Sequence, residues 1–407
     1  MLKNTSKLFC VGMMSIFTGC AAQTPASPSV SDIVEQPATA SLSARSITKE
    51  LLNQKSREAL EILQGIPVRP WCIKNGIAKG RQIALAGLST ATESIEIVLF
   101  GLCFENPKNL EVLTYGYGVE WLEGRGITRY SFRVINRTGK ELLILLGKHY
   151  MPETKRAEYY APFSNKLVRQ DIVESGAQIL FSEIREAQRE LCDSGIRSRA
   201  FPQKKLCEVF PDDLIFNIAI IEQVDDEEFS SKCPDPKMLS AENRIFENCA
   251  EYSVFKVLVH YARNGNGAFR HVASEMAARG AMQFTQRTYN ETALEDYPKI
   301  KLNPSFREGA AELRNSIKAA IALLDRELSR MPEGAQRAFQ TDSRLAGIYP
   351  IAAYNGGLQR AMCLYHGDQR TRKCRASRRG WRETTGYIAK YQGIWYIIDV
   401  LKERIEK

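Results

Sequence analysis

An almost wholly apolar run, Leu214-Ile215-Phe216-Asn217-Ile218-Ala219-Ile220-Ile221, ends in a carboxylate, Glu222. A carboxyl group held against apolar side chains has its charged form disfavoured, so its pKa rises. It then keeps a proton near neutral pH and can serve as a general acid. Taken alone, a Glu at a helix end reaching solvent is the plainer account, so the decision rests on what else the chain carries. Three further segments combine small residues with hydrogen-bonding or aromatic ones. They are Ser274-Glu275-Met276-Ala277-Ala278-Arg279-Gly280-Ala281-Met282-Gln283-Phe284, Ile351-Ala352-Ala353-Tyr354-Asn355-Gly356-Gly357, and Glu383-Thr384-Thr385-Gly386-Tyr387-Ile388.

Together, and in this order, the four segments resemble the lytic transglycosylase family, whose soluble catalytic domain is lysozyme-like. The resemblance covers roughly residues 205 to 400. It implies that Glu222 is the catalytic acid at the end of a buried helix. The second segment is similar to the family stretch Ser-x-x-Gly-Ala-x-Gly-Leu-Met-Gln, with Ala277 and Ala281 departing from it. There Ser274 would stand near the carboxyl, Met282 would pack beneath the cleft, and Gln283 would offer its amide to the sugar. The third resembles Ala-Tyr-Asn-Ala-Gly, so Tyr354 and Asn355 would face substrate and Glu222. The fourth resembles Glu-Thr-x-x-Tyr-Val, and Tyr387 would close one wall of the cleft.

One departure stands out. In the family pattern Glu is followed at once by Ser, and the Ser of the second segment comes soon after. Here Gln223 follows Glu222, and Ser274 comes only after a long insertion. Cys233 and Cys249 could tie that insertion together. Val254 to His260 and Phe269 to Val272 flank Asn264-Gly265-Asn266-Gly267, a strong hairpin signal. The expectation is a disulfide-closed loop and a β-hairpin inserted beside the cleft. A competing alignment puts the family's Glu near Asn266, which would leave no acid, and Glu251 and Glu275 are alternative carboxylates.

The chemistry the resemblance implies uses one carboxylate, where most glycosidases use two. Glu222 would protonate the β-1,4 bond between N-acetylmuramic acid and N-acetylglucosamine, then accept the C6 hydroxyl proton, leaving a 1,6-anhydro end. Asp225, Asp226, Glu227 and Glu228 follow closely, so a hydrolytic lysozyme with a second acid is the nearest rival. A catalytically inactive peptidoglycan-binding lipoprotein is the other. No metal and no organic cofactor are implied.

These residues need elements to hold them. The fractions of 44% hydrophobic and 25% charged residues are those of a globular protein, and 407 residues leave room for two domains. Lys3 and Lys7 precede a short apolar stretch, Leu8 to Phe17, too short to span a bilayer. Phe17-Thr18-Gly19-Cys20 resembles a lipobox. Residues 1–19 therefore read as a signal peptide, and Cys20 as a lipid anchor, with Ala21 after it favouring the outer membrane facing the periplasm. Without Cys10 and Cys20, eight cysteines remain: Cys72, Cys103, Cys192, Cys207, Cys233, Cys249, Cys363 and Cys374. In an oxidising compartment an even number reads as four disulfides, and the spacing suggests that neighbours pair in order. The net charge of +9 suits an anionic polymer such as peptidoglycan. Export argues against nucleic acid as the partner.

Residues 20–45, rich in Ala, Ser, Thr and Pro, read as a flexible tether. A helical pattern spans Ser46 to Leu63. The β-like runs Ile95 to Leu99, Val112 to Val119, Tyr130 to Val134 and Leu142 to Leu146 follow, punctuated by Asn106-Pro107, Gly124-Arg125-Gly126 and Asn136-Arg137-Thr138-Gly139. Helix resumes from about Lys166 to Cys192 and from Pro211 to Glu222. The expected fold is α+β. A smaller sheet-containing domain at 46–165, which could dock a partner in the envelope, precedes a mainly helical, lysozyme-like domain with the hairpin insert at 166–407.

Overall fold

The computed structural model describes residues 47–123, 130–231, 233, 245–274, 277–367 and 378–405. The signal peptide, Cys20, the tether, the Gly124-Arg125-Gly126 turn, Glu275 and Cys374 lie outside them. The fold is α+β, 52% helical and 18% strand, with antiparallel pairing throughout. Residues 44–407 form one compact unit. Among the described residues no helix is long and apolar enough to cross a membrane.

The chain opens with helix α1 (Lys49–Gln64), followed by β1 (Pro70–Lys74), β2 (Ile77–Leu88), β3 (Ile95–Cys103), β4 (Glu111–Val112), β5 (Gly118–Glu123), β6 (Ser131–Ile135), β7 (Leu143–Met151) and β8 (Arg156–Tyr160). The main sheet runs β4-β3-β2-β7-β8, with β1 also paired to β2, while β5 and β6 make a separate ribbon. The expected Val112–Val119 run is thus two strands in two sheets. Strand β2 is central and buried on both faces. Ala84, Ala86 and Leu88 pack toward α1 and the helices, whereas Ile83 and Leu85 pack under the ribbon with Phe100, Phe132 and Val134. Alternation of polar and apolar residues disappears in a strand covered on both sides, which is why this strand escaped the sequence reading.

Lys148, on β7, fixes α1 to the sheet. Its buried ammonium donates to the carbonyls of Leu63, Gln64 and Ile66 at 2.9, 3.1 and 2.7 Å. Those oxygens lie at the helix C-terminus, where no intrahelical donor remains for them.

The rest is helical: α2 (Gln170–Asp193), α3 (Asp212–Ile221), α4 (Asp226–Ser230), α5 (Cys249–Asn264), α6 (Gln286–Asn290), α7 (Phe306–Gly309), α8 (Leu313–Ser329), α9 (Glu333–Thr341), α10 (Ser343–Ala346), α11 (Ile348–Gly356), α12 (Leu358–Tyr365) and α13 (Arg378–Ile405). Every side chain of α3 from Leu214 to Ile221 is buried, the mark of a helix enclosed by others. Its first turn carries Asp212 and Asp213, which complement the helix dipole and pair with Arg185 at 3.1 Å and Lys402 at 2.7 Å. Helix α2 meets α5 at Gly176, where a Cβ would come within 1.9 Å of the Leu258 carbonyl oxygen, so only glycine lets the two backbones approach.

The hairpin expected over Val254–His260 and Phe269–Val272 is not formed. Cys249–Asn264 is one continuous helix, and Gly265–Gly267 is a single 3-10 turn that ends it with Gly265 at φ 53°. The helix start is capped reciprocally. Asn248 accepts the Glu251 N–H at 3.0 Å, and the Glu251 carboxylate accepts the Glu247 N–H at 2.8 Å. Tyr252 to Phe255 and Val257 to Tyr261 are all buried, so periodicity alone could not separate a buried helix from a buried strand. The end of α5 is clipped to the sheet. Asn264 pairs with both the N–H (2.8 Å) and the carbonyl (3.1 Å) of Ala161, and Arg263 donates to the Leu145 carbonyl at 2.7 Å.

Cys72–Cys103, Cys192–Cys207 and Cys233–Cys249 are disulfides, neighbours in order as the spacing suggested. Cys363 is disulfide-bonded as well.

Candidate active site

Glu222 caps the C-terminus of α3, its side chain is partly buried, and the residues after it, Gln223 and Val224, are buried. Helix α13 runs past this end and presents Tyr387, Lys390 and Tyr391 from one face, as spacings of three and four dictate. The Tyr391 carbonyl accepts the Asn217 amide of α3 at 3.0 Å. Lys390 donates to Asp226 at 2.6 Å and to the Val224 carbonyl at 3.5 Å. The Tyr387 hydroxyl donates to the Glu222 carboxylate.

Burial pushes the Glu222 carboxyl up to about 7, while the Tyr387 hydrogen bond and the nearby Lys390 charge pull part of the way back. The Tyr387 and Tyr354 phenols are both held well above their ordinary value, by burial first and by the neighbouring Glu222 charge second. The three groups are therefore electrostatic neighbours in one poorly hydrated site.

The segment 277–284 forms the facing loop. Ala277, Gly280 and Gln283 all adopt left-handed backbone, at φ 59°, 74° and 47°. Such geometry costs a non-glycine residue about 1 kcal/mol or more. What holds it is Gln223, directly after Glu222, whose buried amide donates to the carbonyls of Gly280 (3.2 Å) and Ala281 (2.8 Å). Gln283 donates to the same Gly280 carbonyl at 2.7 Å. Behind the loop, a Cβ at Gly280 would come within 1.7 Å of the Ala310 carbonyl oxygen. Met282 is fully buried, and its carbonyl accepts the Tyr354 hydroxyl at 2.7 Å. Phe284 meets the Tyr354 ring edge-on at 6.0 Å.

The fold thus gathers Glu222, Tyr387, Tyr354 and Met282 around one spot, with Gln283 turned back onto its own loop. Asn355 stands exposed at the rim and accepts a 3.3 Å hydrogen bond from Thr384, which also accepts one from Arg360 at 3.0 Å. Ser274 is exposed, and its hydroxyl accepts the Ala278 N–H at 3.1 Å, a bond within its own loop. Four of the rival carboxylates have partners of their own. Asp225 caps α4 by accepting the Glu227 and Glu228 N–H groups, Asp226 pairs with Lys390, Glu228 pairs with Lys256, and Glu251 caps α5. Gln223, Lys390 and Thr384 were not singled out from the sequence. Lys390 was legible in principle, being three positions after Tyr387 on a helix. Gln223 drew notice only as a departure from the family pattern.

Among the described residues no group of three or more His, Cys, Asp or Glu could hold a metal ion. No protein-family model, curated protein or solved structure matches the chain.

Proposed function

We propose that the protein is a peptidoglycan lytic transglycosylase with a lysozyme-like helical body, and that Glu222 is its single general acid and base. The observation that carries this reading is a carboxyl with a pKa of about 7 at the end of a buried helix, held by Tyr387 beside Tyr354. Protonated, Glu222 gives its proton to the oxygen linking C1 of N-acetylmuramic acid to N-acetylglucosamine, and that C1–O bond breaks. The sugar's own acetamido group stabilises the positive charge developing at C1. The Glu222 carboxylate then takes the proton from the C6 hydroxyl, whose oxygen bonds C1 and closes the 1,6-anhydro ring. The Tyr387 hydroxyl and the Lys390 ammonium favour the carboxylate between these two steps. The engagement of Asp225, Asp226 and Glu228 in caps and ion pairs favours this one-carboxylate scheme over a hydrolase with a second acid. The lipobox-like Cys20 supports anchoring to the outer membrane, facing the periplasm.

Digestion of purified sacculi tests the reading. The wild-type protein releases anhydromuropeptides and Glu222→Gln does not. Equal release by both, or none from either, removes Glu222 from the mechanism. Products heavier by one water identify a lysozyme instead.

A further inference from the structure

A cavity of about 710 Å³ lies at the seam where β2, β7 and β8 meet residues 270–273, Arg279 and residues 303–312. Its volume is in the range of small-molecule sites, roughly 300–1,000 Å³. Arg81, Arg270, Arg279 and Arg307 line it. Glu153, Glu158, Glu308 and Glu312 line it too. Among the described residues none of the four arginines is in an ion pair with any of these glutamates.

Arg81 is the telling member. It is 7% exposed, and its Nε has no hydrogen-bond partner. Its guanidinium contacts the Met151 sulfur at 3.2 Å and the Phe104 ring at 4.7 Å, and the Glu153 charge acts on it without an ion pair being formed. A buried guanidinium that is not ion-paired is costly unless something supplies an anion at close range. Arginine's planar fork suits a carboxylate held by two hydrogen bonds. The glutamates on the same walls suit an ammonium group.

We propose that this cavity binds a zwitterionic short peptide, its carboxylate against Arg81 and its ammonium toward the glutamates. The cavity also touches the candidate active site through one loop. Arg279 and Ala273 face the cavity, while the Gly280 and Ala281 carbonyls of the same loop are held by Gln223. Assigning the peptide to the cell-wall stem rests on the reading above. The site itself does not.

Calorimetric titration of the full chain tests this with two probes, trialanine and the wall stem tripeptide L-Ala-γ-D-Glu-diaminopimelate. Binding is expected to weaken about tenfold or more in Arg81→Met and in the exposed rim variant Arg307→Gln, and with N-acetylated trialanine. Glu222→Gln binds the probes as the wild type does, so peptide binding by a chain that cleaves no glycan overturns only the proposed activity. A tighter stem tripeptide identifies the wall as the source, and equal binding of both probes identifies peptides in general. No binding of either probe, or binding that neither arginine variant weakens, overturns the proposal.

Discussion

Replacing Glu222 by Gln removes a carboxyl whose proton the folded chain holds more tightly than the unfolded chain does. The folded value is about 7, against an ordinary 4.5. At about 1.4 kcal/mol per pH unit the gap corresponds to about 3 kcal/mol, an upper figure for a group that keeps some solvent access. The sign follows from the direction of the change. Below pH 4.5 both states carry the proton, and the carboxyl costs the fold nothing electrostatically. Between 4.5 and 7 the unfolded chain releases its proton first, so stability falls as pH rises. Above 7 the full cost is present. Glutamine is neutral throughout, and the other titrating groups are common to both proteins. The stability difference therefore moves in favour of Glu222→Gln by about 1–3 kcal/mol between pH 4 and pH 8, a few degrees in thermal midpoint. Scanning calorimetry of both proteins at unit pH steps measures it. A difference that stays constant with pH, or moves the other way, would mean that Glu222 behaves as an ordinary solvated carboxylate, and the general-acid argument would go with it.

Tyr387→Phe removes a hydrogen bond that lowers the Glu222 pKa, so the alkaline limb of the pH–activity profile is expected at higher pH; a limb that stays put or moves down refutes the coupling. Gly280→Ala places a Cβ on the Ala310 carbonyl at φ 74°. Strain alone costs about 1–3 kcal/mol, and the displaced loop should abolish glycan cleavage, whereas wild-type turnover and melting would show that the loop is not built as described. Lys148→Met removes the ammonium shared by three carbonyls at the end of α1, of which only that of Leu63 keeps a backbone donor, the Ile66 N–H. It should cost about 2 kcal/mol or more in urea unfolding, and a change under 0.5 kcal/mol would contradict the clamp.

The parts of the fold that could be read in advance are those whose residues carry local instructions. Pro211, Asp212 and Asp213 announced the start of α3, and the unbroken apolar run to Glu222 announced its burial. Cys192–Cys207 and Cys233–Cys249 close short loops, 15 and 16 residues apart in sequence, while Cys72–Cys103, 31 apart, links β1 to the end of β3. What stayed hidden depends on tertiary surroundings. Strand β2 has no alternation because the ribbon and the helices cover both of its faces. Helix α5 looked like a hairpin because Gly265 and Gly267 flank a turn in either structure; the Asn248–Glu251 cap was the discriminating signal. At the candidate site the aromatic and acidic members were legible from residue type. The grip of Gln223 on the facing loop was not, since it joins segments separated by the whole of α4 and α5.

The clip between α5 and the sheet bears on how such a chain can be taken apart. Arg263 and Asn264 are helix residues that bond Ser56, Leu145 and Ala161, on the other side of any cut made near residue 165. A fragment beginning there would lose these bonds and uncover the end of the helix that backs α2, leaving the Asn264 amide only the His260 carbonyl. The strands are thus part of the scaffold that the helical half is built on, and shuffling that half onto another carrier would require replacing their carbonyls first.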